Sequence, residues 1–117
     1  MPTDPTTITL SDLVRRATAL VDAQGVDEAV SAFAVRHEDD DVPVRSILDE
    51  LEDRIAFGVD EDPAVVMAQA ITLYLAPRLD EIDADRDEIL QLAARSEFDG
   101  RPPQSVQDWL ELNGIEP

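Results

Sequence analysis

One histidine, His37, sits in the run Arg36-His37-Glu38-Asp39-Asp40-Asp41. An imidazole beside carboxylates could be a hard-ligand metal site, or a general base whose pKa the acids raise. A catalytic metal needs further organised ligands, however, and consecutive side chains point in different directions. His37 also ends an apolar stripe with Val26, Val30 and Phe33, spaced i, i+4, i+7 and i+11. It is therefore expected to be a helix C-terminal residue, set against the negative end of the dipole. Asp83, Asp85 and Asp87 have the spacing of the first three ligands of a calcium loop. Glu88 stands where the sharp turn needs Gly, and Ala94 stands where the bidentate Glu belongs, so the EF-hand pattern fails. Three carboxylate pairs at i, i+3 (Asp49 with Glu52, Glu50 with Asp53, Asp80 with Asp83) face one way on a helix and could hold Mg²⁺. In a chain with 27 acids in 117 residues, such spacings arise by chance. Without Cys, a Gly-x-Ser-x-Gly elbow or a Gly-rich phosphate loop, no catalytic, cofactor or metal residue is assigned.

The C-terminal stretch carries the one pattern with a shape. Ala93-Ala94, then a turn, then Ser105-Val106, Trp109-Leu110 and Gly114-Ile115 resemble the helix-turn-helix of excisionase and MerR-type DNA-binding domains. The resemblance implies a DNA-binding regulator acting through residues 86–115, with Arg101, Gln104 and Gln107 as its DNA contacts. A recognition helix wants Arg, Lys, Asn or Gln toward bases and phosphates. This one carries Asp108 and Glu111, and no Arg follows Arg101. The competing expectation is that Trp109 anchors a terminal helix onto a bundle. The helix carboxylate pairs are loosely similar to those of all-α nucleotide pyrophosphohydrolases, which would imply a Mg²⁺-dependent hydrolase. The lysines such sites use for phosphate are missing, because the chain has no Lys at all.

Charge shapes the rest. The net is −18, with nine basic residues that are all Arg. This resembles the proteome style of extreme halophiles. At 1 M salt the Debye length is about 3 Å, so neighbouring carboxylates scarcely repel and instead hold water. Such a field disfavours anionic membranes and nucleic acids. No basic-plus-apolar N-terminal segment suggests export, so a cytoplasmic location is expected. The leading functional expectation is a non-catalytic protein-interaction or regulatory module.

The elements that would position these groups are all helical. A frayed tail is expected over 1–8 and a single helical domain over 9–117. Leu10, Leu13, Val14, Ala17, Leu20 and Val21 form one stripe, opened by a Thr9/Asp12 capping box and closed by Gly25 at C′. Asp27 caps a second helix. Val44, Ile47, Leu48, Leu51 and Ile55 form the stripe of a third, with Pro43 in its first turn, a Glu50–Arg54 pair on its surface and Gly58 at its end. Asp60 and Asp62 crowd the positive end of a fourth, which is apolar all round and begins at Pro63. Pro77 ends or kinks it. A helix starting near Asp83 closes at Gly100, and a last one closes at Gly114. The expected fold is all-α: a compact bundle of five or six helices around a central apolar helix at about 63–76. So continuous an apolar helix exceeds what a small monomer needs, and a homodimer covering part of it is expected.

Overall fold

The computed structural model describes residues 8–55 and 62–115. These form an all-α bundle of six helices: α1 (Leu10–Val21), α2 (Glu28–Arg36), α3 (Leu51–Ile55), α4 (Pro63–Leu75), α5 (Arg86–Glu97) and α6 (Gln104–Leu112). The expected helix end at Gly58, the acid at Asp60 and residues 1–7 of the expected tail lie outside the described residues. Ile8, placed in that tail by the sequence, is buried, and its carbonyl accepts from the Val44 N–H at 3.0 Å.

α4 is the centre. It packs against each of the other five helices, and from Ala64 to Leu75 only Leu73 is not buried. Its interior polar groups bond within the helix or to neighbours: Thr72 Oγ1 donates to the Ala68 carbonyl at 2.8 Å. Asp62 caps it, accepting from the Ala64 N–H at 2.8 Å, and Pro63 takes the first turn. Each fully buried Val, Leu, Ile or Met contributes about 1.5–3 kcal/mol, so this helix holds much of the core. Its own chain covers it. What the described residues leave uncovered of α4 between Ala64 and Leu75 is Leu73.

α1 begins with the expected capping box: Thr9 Oγ1 accepts from the Asp12 N–H, and Asp12 Oδ2 accepts from the Thr9 N–H, both at 3.2 Å. Its end differs from expectation. The helix stops at Val21 with Asp22 as cap, and Gly25 lies further on in a turn, donating to the Asp22 carbonyl at 3.1 Å. The Asp22 carboxylate explains this, because it accepts from the Val26 and Asp27 N–H groups at 3.1 and 2.9 Å and folds the chain back into α2. Val26 leaves its expected stripe and is 75% exposed. It precedes the cap Asp27, and the position that would pack against it one turn into α2 is Ser31, so no hydrophobic staple forms.

The expected third helix is not one helix. Val44–Ser46 and Leu48–Glu50 are single 3₁₀ turns, and α-helix begins only at Leu51. Val44, Ile47, Leu51 and Ile55 stay inward, while Leu48 turns out and is 42% exposed. Pro43 flanks the first 3₁₀ turn and bridges Thr9. The Glu50–Arg54 ion pair forms at 3.4 Å. Pro77 ends α4 as expected; a 3₁₀ turn at Leu79–Glu81 leads to α5.

Candidate functional site

The His37 cluster is an internal brace. His37 caps α2, is buried against the Phe33 ring (centroids 5.1 Å apart, edge to face), and is hydrogen-bonded through Nδ1 to Asp40 Oδ2 at 2.7 Å. The acidic run works through its backbone. The Val42 and Asp40 carbonyls accept from the first two N–H groups of α1, those of Leu10 and Ser11, and the Glu38 carbonyl accepts from Ser11 Oγ. Donors that a helix N-terminus leaves unpaired are thereby satisfied. The segment that looked most like a metal site is the lid on α1.

The Asp83–Asp87 stretch is held from outside. Arg16 of α1 donates to the Ile82 and Ala84 carbonyls at 2.8 and 3.5 Å, and Asp87 pairs with Arg86 at 3.3 Å. Among the described residues no three His, Asp or Glu side chains gather as a metal site. Asp49 and Glu52 do line a shallow recess of about 310 Å³ together with Glu97, over Leu51, Leu73 and Ala76.

In the C-terminal segment, α5 and α6 are joined by residues 98–103. Val106 and Leu110 are fully buried and Trp109 is half-buried against the core, so α6 is anchored to the bundle by its apolar face. Gln104 donates to its own neighbour Asp108 at 2.9 Å, and Gln107 donates back to the Pro102 carbonyl at 2.8 Å. Arg101 is exposed. Arg86 donates to the Leu20 carbonyl at 2.8 Å and to Asn113 Oδ1 at 3.2 Å, tying the ends of α1 and α6 to the start of α5. Arg95 lies nine residues along α5, about 13 Å further at 1.5 Å per residue. Arg86 therefore stands apart from Arg95, whereas the Gly100 N–H donates to the Arg95 carbonyl at 2.9 Å and so brings the chain at Arg101 back beside Arg95.

A surface that the sequence reading passed over lies between α1 and α2. Two adjoining recesses, about 330 and 180 Å³, share Arg15 and Ala34 in their lining. Val30 lines the larger one, Val35 and Glu38 the smaller, and Val35 is 61% exposed. Among the described residues the Arg15 guanidinium has no partner. No local pattern in the sequence marks this face, because it depends on how α1 packs on α2.

Comparison with protein-family models, curated protein sequences and solved structures gives no match to this chain. Among the described residues no helix is long and apolar enough to cross a membrane.

Proposed function

We propose that this chain is a non-catalytic interaction module for a salt-rich cytoplasm, and that it engages a protein partner through the face formed by α1 and α2. The observation that carries this is the recess pair on that face, bordered by exposed Val35 and approached by exposed Val26. Contiguous apolar surface rimmed by polar residues marks association sites. The other conspicuous groups have internal duties: His37 and Asp40 hold the lid on α1, while Arg16 and Arg86 staple helix ends. The DNA-binding alternative requires cations along the outer face of α6. That face instead carries Asp108 and Glu111; Asp108 engages the amide of Gln104 on the same exposed surface, and Gln107 turns back to the Pro102 carbonyl.

The test is capture in molar KCl. Immobilised full-length chain should retain a defined polypeptide from a high-salt extract of its own cells, copies of the chain itself included. The Val35→Glu variant, which leaves the buried face of α2 intact, should lose it. Equal capture by both would sink this reading.

A further inference from the structure

The chain carries 17 Asp and a single Asn, and that residue, Asn113, stands directly before Gly114. An Asn-Gly step is the peptide unit most open to deamidation, because Gly has no side chain to shield its nitrogen. The Gly114 nitrogen, having given its proton to solvent base, bonds to Asn113 Cγ. The Cγ–Nδ2 bond breaks and the side-chain nitrogen leaves as ammonia. Water then opens the succinimide ring at one carbonyl or the other, leaving aspartate or isoaspartate. One water enters and one ammonia departs, and nothing is oxidised or reduced. Water reaches the site, since Gly114 is exposed and Asn113 half-buried. Protection must therefore come from hydrogen bonding and not from burial.

The fold holds every group this reaction must move. Asn113 caps α6. Its Nδ2 donates to the Trp109 carbonyl at 2.8 Å and its Oδ1 accepts from Arg86 at 3.2 Å, so the amide is fixed at both ends and does not swing onto the next nitrogen. The Gly114 N–H is engaged by the Glu111 carbonyl at 3.0 Å, and Ile115 beyond it is buried. Arg86 is anchored in turn on the Leu20 carbonyl at 2.8 Å. The neutral amide is also what this cap requires. Aspartate could not donate to the Trp109 carbonyl, and its charge would sit at the negative end of α6. Isoaspartate would lengthen the main chain inside the turn that docks Ile115. Neither product rebuilds the cap. We propose that Asn113 is a guarded deamidation site, protected by the closed end of α6 and converted irreversibly, with water as co-reactant, when that end stays open. Helix ends open locally at low free energy, and loss of salt favours opening through the self-repulsion of a chain at −18. A brief opening closes again unchanged, whereas long exposure is recorded as a fixed change of charge.

Incubation of the full chain at mildly alkaline pH tests it, with conversion at Asn113 read by peptide mass spectrometry as the exchange of NH2 for OH. In molar KCl the folded chain should deamidate at least about tenfold more slowly than the chain unfolded by urea at the same salt, a ratio that a modest local opening energy supplies. In dilute buffer the rate should rise toward the unfolded value as helical CD falls. Arg86→Gln, which takes the guanidinium from Asn113 Oδ1, should convert faster than the wild type in molar KCl, whether or not its helical CD is intact. Converted chain returned to KCl should keep fast amide exchange at Ile115. Equal rates for folded and urea-unfolded chain overturn the inference. So does a rate that stays low while helicity is lost, an unchanged rate in Arg86→Gln, or full recovery of Ile115 protection after conversion.

Discussion

At the scale of single residues, acids here do structural work before any chemistry. Asp62 is the clearest case, because it caps α4 beside Asp27, the cap of α2. Its carboxyl is held above the ordinary value of 3.8, first by burial and then by the neighbouring Asp27, against the lowering effect of the Ala64 N–H. A raised carboxyl pKa means that the folded state keeps its proton to higher pH than the unfolded state. The stability it contributes is present at low pH and is lost as pH rises through the window just above 3.8. At neutral pH the ionised group is a net cost. Asn caps a helix as well as Asp does and carries no charge. Asp62→Asn should therefore raise the melting temperature near pH 7, and the gain should shrink as the pH is brought down toward 4. A variant less stable than the wild type at pH 7 would show that the carboxylate's bond to the α4 dipole outweighs burial and Asp27. Histidine, the residue whose type most invites catalysis, is bound into the same kind of structural work through Asp40.

At the scale of elements, helix ends decide where the sequence was readable. α6 ends in a Schellman motif: the Gly114 N–H donates to the Glu111 carbonyl and the Ile115 N–H to the Leu110 carbonyl, at 3.0 and 2.9 Å, with Ile115 tucked into the core. Gly114 has φ +75°, and a Cβ there would meet open space. Gly114→Ala should cost about 1–2 kcal/mol through backbone strain alone, read by denaturant unfolding in high salt. Gly114→Asn should cost less, since Asn tolerates this conformation. Equal losses would point to packing instead. Caps of this kind, with the Thr9 box and Asp27, were legible because each is a local pattern. So was α4, where an uncharged run between two prolines admits few alternatives. The stretch 44–50 was not. Val44 and Ile47 are three apart, a spacing that fits a 3₁₀ turn as well as an α-turn, and only tertiary packing chose between them and turned Leu48 outward. Gly25 misled because Asp22 ended α1 earlier through a long-reaching side-chain bond. The candidate α1–α2 face was hidden differently: its signal is Val35 turned outward beside two recesses, which depends on how α1 packs on α2 and not on any local pattern.

At the scale of the whole molecule, the net charge sets the conditions under which the protein stays folded. The load is local. Residues 38–55 carry eight acids against two arginines, and their structure is two 3₁₀ turns and the short α3. Such elements bury little and depend on docking against the N-terminus of α1 and on α4. As salt falls, the Debye length grows from about 3 Å at 1 M to about 10 Å at 0.1 M, and these carboxylates begin to act on one another. Self-repulsion should open this segment first. α4 should open last, since it bears no charge and packs against all five other helices. Helical CD should therefore fall on dialysis into dilute buffer, and amide exchange should show protection lost over 44–55 before it is lost over 63–75. Restoring KCl should reverse both changes, whereas sucrose should restore less, because it strengthens burial without screening charge. Full helicity in dilute buffer would overturn the link between the acidic surface and salt, and simultaneous loss across both segments would show that the bundle opens as one unit.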